Sequence, residues 1–363
     1  MRPVRSSVES SVGSSVKSPV RSPLRRPLLL PLVPLYAAAV RFKRWMFRQG
    51  LLQQRRLEGP VISVGSVSAG GAGKTPIVLM LATMLRQRGY AVRILTRGYG
   101  RTAKHVSRVQ AFDDPRCYGD EPVLLAQRSG VPVYVGAQRY DAGVLAEQQE
   151  PSGKTIVHLL DDGFQHRQLE REIDIVLLTK EDVDDQLLPA GNLREPLSTL
   201  AIADVVVLRE DEAAALRPIV AKLSSPDKKP AVWVIRRRLS LGVGGEVALP
   251  TMPLAFCGIA RPKNFLSMLA GEGYEPTAAM IFADHQNYGD QEIARLLTEA
   301  RRCGANGFVT TEKDAVKLTP ILRDRLATIG PLIVTRLSVE LLGEKDALLE
   351  LVGMVGRLDR RKR

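Results

Sequence analysis

The sequence is poor in the residues that would place it in several other classes. Its three cysteines, Cys117, Cys257 and Cys303, are odd in number, far apart and without paired spacing, which argues against a disulfide framework or a zinc module. Reduced core thiols in a cytoplasmic compartment are the consistent reading. There are only four histidines, so each is worth weighing individually. No apolar run approaches the roughly 20 residues of a spanning helix. The longest near the amino terminus, Leu28 to Val40, covers thirteen residues and is broken by Pro31 and Pro34. Acid is almost missing from residues 1–56, where Glu9 stands alone against twelve Lys and Arg.

That last scarcity locates the charge. The chain of 363 residues carries a net +13, of which residues 1–56 hold +11 and residues 357–363 hold +4, so the stretch between is slightly acidic at −2. A nucleic-acid binder usually carries its charge on the folded domain, which this chain does not, and no nucleic-acid partner is expected. Basic ends beside apolar residues suit an anionic membrane surface, where each cation near the lipid contributes about 1 kcal/mol. Residues 1–27, a Ser/Pro/Arg-rich repeat of Ser-Ser-Val, read as a disordered basic tail. Residues 28–56 read as a membrane-associated segment, because Arg41 to Leu52 alternates cationic and bulky apolar groups as an interfacial helix does. A secretory signal and a helix packed on the protein's own core are the alternatives. Nothing indicates an obligate protein partner.

From Val61 the pattern becomes strand, glycine loop, helix and strand, over Val61–Val64, Ile77–Arg88 and Ala91–Leu95. Apolar strand-like runs recur at Val131–Val135, Thr155–Leu160, Ile173–Leu178 and Val205–Leu208 with helical segments between, which predicts a doubly wound, mostly parallel α/β sheet of the P-loop NTPase kind. A second, smaller α/β domain follows the charged, Pro-bounded segment near Lys228. The expected division is 57–231 for the nucleotide-binding domain, 232–340 for the smaller one, and 341–363 for a final helix and basic tail.

The chemistry-bearing residues lie at the ends of these strands. Gly65 to Thr75 joins strand to helix, the context a phosphate-binding loop requires. The backbone of Ser68, Ala69, Gly70, Gly71, Ala72 and Gly73 can face phosphate oxygens, Lys74 supplies a cation, and the Thr75 hydroxyl can ligate Mg²⁺. Ser68 stands where the standard motif has glycine. Asp161 and Asp162 end the strand Thr155–Leu160, the position of a metal-binding carboxylate in such folds. Two adjacent carboxylates repel each other unless a cation is near. Asp120 begins a helix and is read either as its N-cap or as a general base. Arg194 and Glu195 lie in a turn-rich loop, as a charge clamp or a surface ion pair. Arg97 and Arg101 are candidate contacts for an anionic substrate, and His285 is structural or catalytic.

Taken together, these segments resemble the tetraacyldisaccharide 4′-kinase family over about residues 28 to 340. The resemblance rests on the glycine loop at 64–76, Arg97-Gly-Tyr-Gly-Arg101, Gly119-Asp-Glu-Pro122, Leu160-Asp-Asp-Gly-Phe-Gln-His166, Pro189-Ala-Gly-Asn-Leu-Arg-Glu-Pro196, Asp284-His285 with Tyr288, and Thr311-Glu-Lys-Asp-Ala-Val-Lys-Leu318. Ser66 and Asn192 depart from the usual Asn and Pro. The resemblance implies transfer of the γ-phosphate of ATP, with Mg²⁺, to the 4′-hydroxyl of an acylated disaccharide lipid at the cytoplasmic face of the inner membrane. It further implies that Lys74 and Thr75 hold triphosphate and metal, that Asp161 and Glu195 lie near the metal, and that Asp120 acts as base assisted by His285. Asp162 is a further catalytic acid with no individual role assigned.

Two rival readings remain. Thr179-Lys-Glu-Asp182 imitates a guanine-selecting motif, which would suit a GTPase, but Leu160 denies the Asp-x-x-Gly switch. A membrane-associated switch ATPase would also combine a deviant P-loop with a basic amphipathic helix.

Overall fold

Twelve strands form one sheet among the described residues, in the order β10-β9-β11-β12-β8-β7-β6-β1-β5-β2-β4-β3. The computed structural model describes residues 26–149, 153, 155–225, 228–242 and 248–362. The strands are β1 Val61–Ser66, β2 Ala91–Thr96, β3 Ser107–Val109, β4 Val133–Val135, β5 Ile156–Asp161, β6 Ile173–Leu177, β7 Val205–Arg209, β8 Ala231–Leu241, β9 Pro253–Cys257, β10 Ala278–Ile281, β11 Gly307–Thr311 and β12 Leu332–Leu342. The helices are α1 Val33–Arg48, α2 Lys74–Gln87, α3 Pro115–Tyr118, α4 Asp120–Arg128, α5 Arg139–Gln149, α6 Lys180–Val183, α7 Glu210–Leu223, α8 Pro262–Gly271, α9 Asp290–Cys303, α10 Glu312–Ala315, α11 Pro320–Ala327 and α12 Glu344–Lys362. All ladders are parallel except β3–β4 and β8–β12.

Period-two alternation assigns the strand residues to two layers. Ile173, Ile175 and Leu177 join a core with Ile77, Leu81 and Leu85 of α2, whereas Val176 and Leu178 face the layer of Leu216 and Val220 from α7. Each such fully buried aliphatic side chain contributes roughly 1.5–3 kcal/mol. Buried on both faces, these strands read as continuous apolar runs, as expected of a parallel sheet. The last helix, α12, returns Leu348, Leu351 and Val355 to the α2 layer, and Trp233 Nε1 donates to Glu350 Oε2 at 3.0 Å.

The two eleven-residue strands set the relation between the halves. β7 pairs only with Ala231–Ile235 of β8, β11 only with Leu332–Thr335 of β12, and β8 and β12 run antiparallel from Val234–Leu342 to Leu241–Thr335. β8 therefore carries the chain past the carboxyl end of β7, and β11 runs back alongside β12. The carboxyl ends of β9, β10 and β11 consequently face those of β1, β2 and β5, where ligands of open α/β sheets bind. The expected limits at 231/232 and 340/341 fall within this shared ribbon, at the first residue of β8 and near the end of β12.

The amino-terminal segment lies against this frame without entering it. Pro27–Leu32 forms a 3₁₀ turn leading into α1, and no residue of either is buried. One face of α1, with Val33, Tyr36, Ala37, Val40, Arg44 and Phe47, is half-buried against the body, so the helix lies on the protein without contributing to its core. Leu28, Leu35, Phe42 and Trp45 remain largely exposed, with the last two rings stacked at 5.8 Å. No helix among the described residues is long and apolar enough to cross a membrane. Arg26 N donates to Ala190 O at 2.8 Å and Tyr36 Oη to Arg194 O at 3.0 Å. The docked segment thus begins by Arg26, inside the stretch read from sequence as tail; the rest of that tail, residues 1–25, lies outside the described residues, as do the side chains of the basic end from Arg357 on.

Candidate active site

The loop after β1 turns through three left-handed glycines, Gly70, Gly71 and Gly73, at φ 72°, 65° and 94°. Such angles cost glycine little and direct successive N–H groups to one side. At Gly71 there is also no room: an added Cβ would lie 2.8 Å from Arg261 Cγ of the second unit. Ser68, the departure from the standard motif, is buried and bridges Leu193, while Ala69 N donates to Asn192 O and Arg194 N to Val67 O. The 189–196 loop therefore splints the phosphate loop through backbone bonds, which explains why Asn192 and Ser68 are tolerated. Lys74 Nζ donates to Ser66 Oγ at 3.3 Å and pairs with Asp162 Oδ1 at 3.2 Å.

Asp161 and Asp162 occupy adjacent positions in contrasting environments. Asp161 is buried at the end of β5 and accepts from Thr96 Oγ1 at 3.2 Å. Loss of solvent, then the charges of Glu121 and Asp162, push its carboxyl up to about 7, with Lys74 opposing. Asp162, at φ 50°, also resists desolvation, but Lys74 and Arg194 outweigh that and hold it down at about 2. Arg194 Nη1 donates to Asp162 Oδ2 at 2.9 Å. Glu195 is buried beside Arg167, whose Nη2 lies 3.3 Å from Oε2, and the charge of Arg44 from α1 acts on the same pair.

Asp120 opens α4, but the cap position belongs to Gly119. One of its oxygens accepts from Glu121 N at 2.9 Å, and the other accepts from His285 Nδ1 at 3.0 Å, across 165 residues of sequence. Burial pushes the Asp120 carboxyl up, yet the His285 bond and the Lys313 charge pull it below the usual carboxylate range. His285 is raised, chiefly by that same bond. Its backbone has φ 112°, an unfavourable region for a non-glycine residue that costs on the order of 1–3 kcal/mol. Lys313 pairs with Glu121 Oε1 at 2.6 Å, and Arg128 pairs with Glu312, so α4 is held by the second unit at several points.

The comparisons with known proteins agree with this arrangement. The family described as Tetraacyldisaccharide-1-P 4′-kinase matches residues 25–354. The chain belongs to that family. A tetraacyldisaccharide 4′-kinase from Koribacter versatilis is 40% identical over 333 residues, covering 90% of this chain and 98% of the relative. One from Aeromonas salmonicida is 35% identical, covering 78% and 81%. The crystal structure titled as the "apo" form of LpxK from Aquifex aeolicus in complex with ATP superposes with a TM-score of 0.70 at 30% identity, covering 91% of this chain and 99% of that one.

Within this 4′-kinase family member the arginines expected from sequence divide three ways. Arg194 is engaged by Asp162, and Arg101 turns back to bond His105 O and Lys104 O, bracing its own loop. Arg97 is exposed and acts electrostatically on both Arg139 and His166. Arg139 was not singled out from sequence, and His166 was named only as the end of the Leu160–His166 motif, with no role. Arg139 is buried, its guanidinium lowered to about 10 by desolvation and by Arg97, and its Nε has no partner. His166 is depressed to about 4 by desolvation and by Arg139, Arg171, Lys43 of α1 and Arg97, and its Nε2 is buried without a hydrogen bond. Only the fold gathers these cationic groups; an isolated Arg after β4 gives no signal. The guanine-like Thr179–Asp182 segment proves to be a capping box, with Asp182 accepting from Thr179 N at 2.9 Å and from Arg261 at 3.3 Å. Asp182 is thereby fully occupied, which removes the structural basis of the GTPase reading.

The residues present suit ATP and Mg²⁺. The left-handed glycines and Lys74 form an anion cradle, and a buried carboxylate held above its usual range, as Asp161 is, gains from a nearby cation. Among the described residues no group of three His, Cys, Asp or Glu could hold a metal ion by itself. Mg²⁺ commonly completes its shell from substrate phosphates and water, so one or two protein ligands are enough.

Proposed function

We propose that the chain transfers the γ-phosphate of ATP to the 4′-hydroxyl of the tetraacyl disaccharide 1-phosphate precursor of lipid A, giving the 4′-phosphorylated intermediate, lipid IVA. Membership of the 4′-kinase family supports the reaction, and the Asp120–His285 pair facing the phosphate loop carries the mechanism. The backbone of Ser68–Thr75 and Lys74 bind the triphosphate. Thr75 and Asp161, with Glu195 near, would hold Mg²⁺, which supplies neutralisation of charge on the phosphates. Asp162 fixes Lys74 and Arg194. Asp120 accepts the proton of the sugar hydroxyl as its oxygen bonds to phosphorus and the bond to the leaving ADP breaks, while His285 orients the carboxylate. Because His285 comes from the facing unit, the base is complete only when both halves are together, which restrains transfer to water. The cationic groups gathered around His166, namely Lys43, Arg97 and Arg139, would attract the lipid's 1-phosphate.

The exposed apolar side chains and the cations of α1 support peripheral attachment to an anionic membrane at the cytoplasmic face, which would bring the lipid towards Lys43 and its cationic neighbours. The test is incubation of the full chain with γ-labelled ATP and the disaccharide lipid. Label in the lipid is the expected result. Release of inorganic phosphate alone would establish the switch-ATPase alternative, and preference for GTP the GTPase one.

A further inference from the structure

Asp314 has no part in the reaction described above, yet it is completely buried and gathers three hydrogen-bond donors and one cation within the second unit. Its Oδ1 accepts from Gly258 N at 3.1 Å and Tyr288 Oη at 2.9 Å and pairs with Lys317 Nζ at 3.0 Å, while Oδ2 accepts from Thr311 Oγ1 at 2.6 Å. The three hydrogen-bond donors belong to segments that meet the first unit. Gly258 leads to Ala260 and Arg261, which lie against Gly70 and Gly71 of the phosphate loop. Thr311 leads to Glu312 and Lys313, which grip Arg128 and Glu121 of α4. Tyr288 closes the turn that bears His285.

That turn needs an anchor. His285 is held at φ 112°, and a strained backbone persists only where its surroundings fix it on both sides. On the near side Phe282 N donates to Cys257 O at 2.8 Å, and Gln286 N to Ala283 O at 3.2 Å. On the far side stands Tyr288, whose ring packs between Phe256 and Phe282 at centroid distances of 5.7 and 5.3 Å and whose hydroxyl reaches Asp314. We infer that Tyr288 and Asp314 are positioning residues for phosphoryl transfer: their hydrogen bond holds the strained turn that delivers His285 Nδ1 to Asp120. The inference rests on the reading of Asp120 and His285 as the base pair.

Tyr288→Phe keeps the ring and its packing and removes only the hydroxyl, so it isolates the bond. It is expected to lower kcat about tenfold, the scale of one hydrogen bond to a charged acceptor. KM for ATP should not change. A merely structural bond would act independently of His285, whereas a positioning bond acts through it. The same substitution in a His285→Ala background should therefore leave kcat where His285→Ala alone puts it. Asp314→Asn, which keeps size and one acceptor, should show the same dependence on His285, with thermal unfolding of each variant confirming a folded state at the assay temperature. Unchanged kcat in Tyr288→Phe, or a loss of equal size with and without His285, overturns the inference while leaving the base pair standing. Wild-type kcat in His285→Ala alone would instead remove the base-pair reading and this inference with it.

Discussion

Lys74 of the phosphate loop and Asp162 of the turn after β5 form an ion pair, Nζ to Oδ1 3.2 Å, with Arg194 on the second carboxylate oxygen at 2.9 Å. The lysine is thus held ready for the triphosphate rather than left free in solvent. Lys74→Ala should lower kcat by about 10³-fold or more and weaken ATP binding, because charge neutralisation and positioning supply nearly all catalysis in this chemistry. Thr75→Ala should lose activity comparably with a smaller effect on nucleotide affinity. Calorimetric titration with ATP, beside kinase assays on the same preparations, checks both.

Arg139 should decide affinity for the lipid's phosphate and leave ATP alone. Its buried guanidinium joins Arg97 and Lys43 in setting the potential at His166. Loss of one charge-assisted contact is worth about 1.5–3 kcal/mol, so Arg139→Met should raise KM for the lipid roughly 10- to 100-fold. The penalty should vanish with a disaccharide lacking the 1-phosphate, and a penalty of the same size on that substrate would place Arg139 elsewhere in the account.

Membrane attachment should depend on the exposed rings of α1. Phe42 and Trp45 leave about half of their surface exposed, and moving that remainder into lipid is worth about 1.5–3 kcal/mol for the two together. Phe42→Asp with Trp45→Asp should therefore release the chain from anionic vesicles in a sedimentation assay. Removal of residues 1–24 should leave both vesicle binding and activity intact. Deleting residues 1–56 is a less specific test, since it also removes the Tyr36 and Arg26 bonds to the 189–196 loop.

How much of this was readable beforehand varies with the range of the interactions involved. The glycine loop and the apolar strands β1, β5, β6 and β7 were legible because backbone geometry and burial on both faces impose local patterns. β3 has three residues and β10 is only half-buried, so neither makes an apolar run. The outer halves of β8 and β12 were missed because Arg236, Arg237 and Arg238 face Glu340, Val339 and Ser338 across an exposed ribbon with little apolar pattern. That ribbon turns the second unit towards the first, so the contacts that depend on it, Lys313 to Glu121 and Arg261 beside Gly71, had no sequence signal. Asp120 and His285 were readable only through family resemblance.

The pair should also leave a signature in stability. Burial aside, its mutual bond lowers Asp120 from 3.8 and raises His285 from 6.5. For the lowered acid, the contribution is present above about 3.8 and lost as pH falls through the folded value; for the raised histidine, it is complete below about 6.5 and lost as pH rises through the folded value. The melting temperature of wild type should therefore exceed that of His285→Ala most between about pH 4 and 6.5, and the gap should narrow towards pH 9. A gap that widens with rising pH would contradict the assigned direction.

The central claim, that Asp120 and His285 act as one base assembled from two units, is tested most directly by kcat in the double variant. Asp120→Asn should lower kcat by roughly 10² or more with ATP affinity nearly unchanged, and His285→Ala should act in the same direction. If the 3.0 Å bond is the working element, the double variant should be no slower than the slower single variant by more than a small factor. A double variant slowed by the product of the two single losses would show that the residues act independently, and would contradict the account.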